Sequence, residues 1–145
     1  MEASEQNNNV RTACFEMLVN LSDLEQLIYS AYYDQDEDAG SPRKGWVTVG
    51  LIVDLSSLSN EDVERAAVDL KTVWSNEWSQ MSEEQPSVDK LVVAIDNVRL
   101  EIKNLLNGLS LNLSSIKPTI KKNKQQIIIS IFKKRNLNKK IINIK

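Results

Sequence analysis

The sequence predicts an all-α fold, a bundle of three or four helices, and three observations carry that expectation. The chain of 145 residues holds only 4 Gly and 3 Pro, sparse punctuation for a sandwich built on many tight turns. Aromatic residues are few, at 6%. Apolar residues recur at alternating spacings of three and four, the repeat that gathers side chains on one helix face. A chain of this length is expected to build one core and to bury about 68% of its unfolded surface. Composition then divides it into a disordered N-terminus (1–8), an acidic helical domain (9–110) and a basic tail (111–145) rich in Lys, Asn and Ile.

Val10, Cys14, Met17, Leu21, Leu24, Ile28 and Ala31 form an unbroken stripe, so the first helix is expected from about Asn9 to Tyr33. Ser22 with Glu25 fits a capping box that could restart the helix. The continuous stripe favours a single long one. Asp34 to Lys44 is polar, holds Gly40 and Pro42, and reads as a loop. Ser41 and Pro42 match an N-cap followed by the first helical residue. The segment from Trp46 to Leu58 carries two patterns. Val47, Val49, Leu51, Val53 and Leu55 alternate as in a half-buried strand, whereas Val47, Leu51, Leu55 and Leu58 make a helical stripe. Gly50 costs a helix about 1 kcal/mol relative to Ala. A strand needs a partner, and the body offers no second good one, so a helix is expected; a strand over 46–55 would turn the class to α+β.

Ser59 is the expected N-cap of the next helix, with Asn60, Glu61 and Asp62 in a first turn that suits carboxylates. Val63, Ala66, Ala67, Leu70, Val73, Trp74 and Met81 carry it to about Gln80. Ser82 to Pro86 breaks the pattern. Ser87 is expected to cap the last body helix, where Val88, Leu91, Ile95, Val98, Ile102 and Leu105 alternate strictly by three and four over nearly three heptads. Gly108 is a natural stop.

Charge is the most informative feature. Residues 1–110 carry 8 Lys/Arg and 20 Asp/Glu, a net of -12, while 111–145 carry 10 Lys/Arg and no acid, a net of +10. The tail also changes alphabet to Lys, Ile, Asn, Leu and Ser, a low-complexity composition, and AT-rich codons specify much of it. Cys14 is the single cysteine, which excludes an intrachain disulfide, and its place on an apolar stripe reads as a small buried hydrophobe. Met1 to Asn9 has no apolar core of a secretory signal, and no run approaches the roughly 18 apolar residues of a membrane span. The expected compartment is the cytoplasm.

The chemistry-bearing residues point away from catalysis. There is no His, hence no imidazole base or metal ligand, and the lone Cys lacks a His to activate it. No phosphate-cradling loop, dinucleotide fingerprint or Cys-x-x-Cys pair occurs. The expectation is a non-enzyme without a cofactor. Asp34, Asp36 and Asp38 resemble the opening of a calcium loop, but Ala39 stands where that loop needs Gly and Gly45 where it needs a bidentate Glu. An acidic solvated loop is the better reading.

Two kinds of surface remain. The stripe of Val88, Leu91, Ile95, Val98, Ile102 and Leu105 has β-branched residues at one heptad position, as in parallel two-stranded coiled coils. It therefore offers either an intramolecular bundle seam or an interface to a partner, a second copy included. For Trp74 and Trp78, one turn apart, core packing is the better reading; of the two, Trp78 lies further from the Val63 to Val73 stripe and is the one that would mark a binding face if exposed. In the tail, Lys121, Lys122, Lys124, Lys133, Lys134, Arg135, Lys139 and Lys140 form three clusters that could neutralise phosphates. With Ile120, Ile127, Ile128, Ile131 and Phe132 they could also make a basic amphipathic helix for an anionic membrane surface. The tail's nearest counterion, however, is its own acidic body. The expected function is a small acidic binding or adaptor protein acting through protein–protein assembly, with an inhibitor or immunity-type protein as a subcase. The alternative is a nonspecific nucleic-acid or membrane binder working through the tail.

Overall fold

A computed structural model describes residues 2–112, with side chains from 5 to 109. It is an all-α bundle of four helices: α1 (Glu2–Tyr32), α2 (Pro42–Ser56), α3 (Glu61–Glu77) and α4 (Gln85–Asn112). The chain divides into a unit Met1–Leu106, which holds the bundle, and a unit Asn107–Lys145. The segment from Trp46 to Leu58 is thus helical, and no strand occurs among the described residues. None of the described helices is long and apolar enough to cross a membrane.

The expected stripe of α1 is its core face. Cys14, Met17, Leu21, Leu24, Ile28 and Ala31 are all buried, and only Val10 is half-buried. From Leu24 to Ala31 every residue except Gln26 is buried, so this half of α1 is packed on several sides. Burial pushes the Cys14 thiol up to about 11, because the thiolate cannot be solvated there. The helix starts at Glu2 and takes in the segment expected to be disordered. Residues 2–9 contain no Gly or Pro, and Glu2 and Glu5 sit at the positive end of the dipole.

Gln35 ends α1 in the left-handed region, with φ 51°. Its amide nitrogen donates to the carbonyls of Ala31 (3.2 Å), Tyr32 (2.8 Å) and Ser82 (2.9 Å). One side chain therefore satisfies terminal carbonyls of α1 and ties them to the α3–α4 connection. Two close approaches seat α2. A Cβ on Gly40 would lie 2.5 Å from the Ala31 backbone, and one on Gly45 would lie 2.2 Å from the Trp74 ring. The face that α2 buries is accordingly Gly45, Val49, Ile52 and Ser56. This corrects the expected stripe: Val47, Leu51 and Leu58 are 69%, 43% and 58% exposed.

Helix ends also differ in detail. Asn60, not Ser59, caps α3, its side chain accepting from the Val63 amide at 2.9 Å. The Ser59 hydroxyl instead donates to the Ser56 carbonyl. Ser41 precedes α2 as expected but makes no side-chain cap bond. α3 ends at Glu77, three residues early, and α4 begins at Gln85, ahead of Pro86 and Ser87. Proline is tolerated in a first turn, where its missing N–H has no intrahelical partner, and Ser87 is buried inside the helix. Gly108 does not stop α4, since a glycine terminator uses positive φ and no described glycine adopts it.

The α1–α4 contact contains a buried ion pair. Arg99, 1% exposed, donates to Glu25 at 3.0 Å, to Asp96 at 3.3 Å and to the Ser22 hydroxyl at 3.4 Å. A guanidinium withdrawn from water demands such neutralisation.

Candidate functional site

α3 and α4 form an antiparallel hairpin joined by residues 78–84. Near the joint, the Lys90 ammonium meets the Glu77 carboxylate at 3.3 Å. The Ser87 hydroxyl and then Lys90 hold the Glu77 carboxyl below the usual glutamate range, against an opposing push from burial. Farther along, the two helices leave a groove of about 310 Å³ between them.

Helical periodicity builds both walls. α3 contributes Asp62, Arg65, Ala66, Asp69 and Val73, spaced by three and four on one face. That face adjoins the buried stripe of Val63, Ala67, Leu70 and Trp74, which packs inward. α4 contributes Val93, Ala94, Asn97, Leu100 and Glu101 in the same rhythm. Small Ala66 and Ala94 leave space between the helices, while Val93 and Leu100 stand 58% and 52% exposed. Ala66, Val73 and Ala94 are the groove's less exposed lining, and exposed Val93 and Leu100 stand among charged residues. Three carboxylates and one guanidinium line it, a net of -2, and Arg65 already faces Asp62 of its own helix at 3.6 Å. Such a surface can bury aliphatic side chains and hold cationic groups beside them. Its walls contain no hydroxyl, thiol or imidazole.

The residues singled out in the sequence fall elsewhere. Val88, Leu91, Ile95, Val98 and Ile102 are each at most 1% exposed, and Leu105 is half-buried with Leu106 replacing it in the core. The stripe offered as an interface is therefore spent on the chain's own bundle, and a second chain cannot use it while the bundle stands. Trp78 is half-buried, its ring edge-on to Trp46 at 6.5 Å, and Trp46 also meets the fully buried Trp74 at 6.2 Å. The three tryptophans pack on one another, so Trp78 is not a free-standing anchor.

Asp34, Asp36 and Asp38 do not converge. Asp36 accepts from the amides of Asp38 and Ala39, both at 3.0 Å, and Asp38 pairs with Lys44 at 3.4 Å. Among the described residues no three acids or thiols are grouped to hold a metal ion. The clusters at Lys121, Lys122, Lys124, Lys133, Lys134, Arg135, Lys139 and Lys140 lie outside the described residues.

The groove went unread because Val93 and Leu100 do not belong to the heptad stripe. A signal was present, since two apolar residues seven apart on a second face of α4 define a face of their own. Comparison with protein-family models, with curated proteins and with solved structures found no match.

Proposed function

We propose that this protein is a non-catalytic binding or adaptor protein whose α3–α4 groove takes an amphipathic helical segment of a protein partner. The observation that carries the reading is a groove in which exposed Val93 and Leu100 stand among carboxylates. The segment it suits presents large aliphatic residues at helical spacing, flanked by Lys or Arg, the helix-in-groove mode of recognition. Val93 and Leu100 supply the apolar contact. Asp69 and Glu101 supply charge selectivity and raise the on-rate more than they raise affinity. The acidic body, with its net of -12, extends the same attraction beyond the groove.

The test is a titration of the full chain with a labelled helical peptide of alternating Leu and Lys faces, followed by fluorescence anisotropy at low and high salt. Leu100→Asp should weaken binding at least tenfold, equivalent to about 1.4 kcal/mol. Asp69→Asn with Glu101→Gln should lower the association rate and flatten its salt dependence. A peptide with Ser in place of Leu should bind far more weakly. Affinity indifferent to Leu100→Asp would mean that the peptide sits elsewhere and would end the proposal.

A further inference from the structure

α2 is apolar on two faces, and only one of them is used. Gly45, Val49, Ile52 and Ser56 pack inward, while Val47 and Leu51 remain exposed, beside Trp46, which is 38% exposed and packs on Trp74 and Trp78. Gly50 lies on that outer face. A Cβ there would meet nothing within 4 Å, whereas those of Gly40 and Gly45 would strike neighbours of the same chain. Glycine weakens a helix interior relative to alanine, and the chain's own packing has no use for this one. A notch between exposed apolar residues is what the close crossing of another helix requires.

The charges on the face indicate which helix. Arg43 stands at the start of α2 and Asp54 near its end, both exposed and both on the line of Val47, Gly50 and Leu51. Turned antiparallel on itself in one register, α2 sets Val47 of one copy into the Gly50 notch of the other. The same register sets Arg43 against Asp54. Each contact occurs twice, as a twofold isologous interface demands. We infer that α2 pairs antiparallel with α2 of a second copy of this chain, with Val47 seated at Gly50 and Arg43 facing Asp54. One 15-residue helix offers less than the roughly 800 Å² per partner of a standard interface, so the dimer belongs with the weak, concentration-dependent ones.

This interface shares no residue with the α3–α4 groove, and its test is independent of that reading. Sedimentation equilibrium of the full chain over about a hundredfold concentration range should give a monomer–dimer equilibrium. Gly50→Ala should abolish the dimer without lowering the melting temperature, because the added methyl has space in the monomer and fills the notch. Arg43→Asp and Asp54→Arg should each weaken the dimer at least tenfold, and the double exchange should restore it. Both substitutions suit the ends of the helix dipole, so the fold survives them. Leu100→Asp should leave the dimer unchanged. A chain monomeric throughout would overturn the inference. So would a dimer indifferent to Gly50→Ala, a double exchange that fails to restore pairing, or a dimer lost on Leu100→Asp. Association that disappears with salt yet survives Gly50→Ala would instead belong to the basic tail on the acidic body.

Discussion

Replacing Arg99 by Met tests the core at its most demanding point. Arg99 is 1% exposed and serves Glu25, Asp96 and the Ser22 hydroxyl at once. Met keeps most of the buried alkyl volume, so little of the loss comes from packing. What is lost is the cation that neutralises Glu25, itself 6% exposed, and breaking a buried pair in this way costs about 3–5 kcal/mol. The complementary change, Glu25→Met, leaves Arg99 beside Asp96, whose side chain is 28% exposed. The guanidinium then keeps a carboxylate, and the cost falls to about 1–3 kcal/mol. The double variant removes both buried charges and should recover to within about 1 kcal/mol of the parent or exceed it. Urea unfolding followed by tryptophan fluorescence measures all three, since Trp74 is fully buried in the same bundle. At about 4 °C per kcal/mol, Arg99→Met lowers Tm by about 12–20 °C. Equal losses for the two single variants would refute the asymmetry assigned to Asp96. A double variant as unstable as the two losses combined would refute the pairing itself.

Two further outcomes follow from packing and ionisation. Gly45→Ala drives a methyl to 2.2 Å from the Trp74 ring and should destabilise by about 1–3 kcal/mol, read by the same urea assay. Cys14 should resist a thiol reagent at pH 8 in the native protein and react once the chain unfolds. Folding raises its pKa to about 11, so the unfolded thiol ionises first; the stability this confers is full below its unfolded value and is lost as pH rises through about 11. Cys14→Ala should remove that decline, measured as the difference between the two unfolding curves across alkaline pH.

The sequence made the helices legible where one face alone was apolar. In α1 and α4 the three-four alternation names residues that are buried with few exceptions, Val10 and Leu105 being half-buried, although each helix also buries residues beside its stripe, such as Leu18 and Leu27 on α1 and Val92 and Ala94 on α4. In α2 it could not. Val47, Leu51 and Leu58 are as apolar as Val49 and Ile52, which pack inward, and the decisive element is Gly45, whose value lies in the Cβ it lacks beside Trp74. A pattern that counts apolar bulk cannot register a position chosen for its emptiness. Arg99 escaped for a related reason. It occupies the α4 stripe between Ile95 and Ile102, where an isolated charge reads as solvent-facing until Glu25 is seen in the same situation on α1. Two opposite charges, each embedded in an apolar stripe, are the sequence signal of a buried pair.

The two surfaces proposed for binding have the same physical origin. A four-helix chain with nearly every large residue of α1 and the α4 stripe turned inward has already satisfied its core. Val47 and Leu51 on α2, and Val93 and Leu100 on α4, therefore add nothing to the fold by their exposed fraction. Each surface also carries a second feature that the core does not need. On α2 it is the notch at Gly50, and beside α4 it is the separation left by Ala66 and Ala94. A scattered exposed apolar residue is ordinary. An exposed apolar residue beside a space shaped to receive another helix is a different observation, and it occurs twice on helix faces that share no residue. Self-association through α2 would leave both grooves of a dimer open. A partner with two basic helical segments would then be held by both, with the second contact made at high effective concentration.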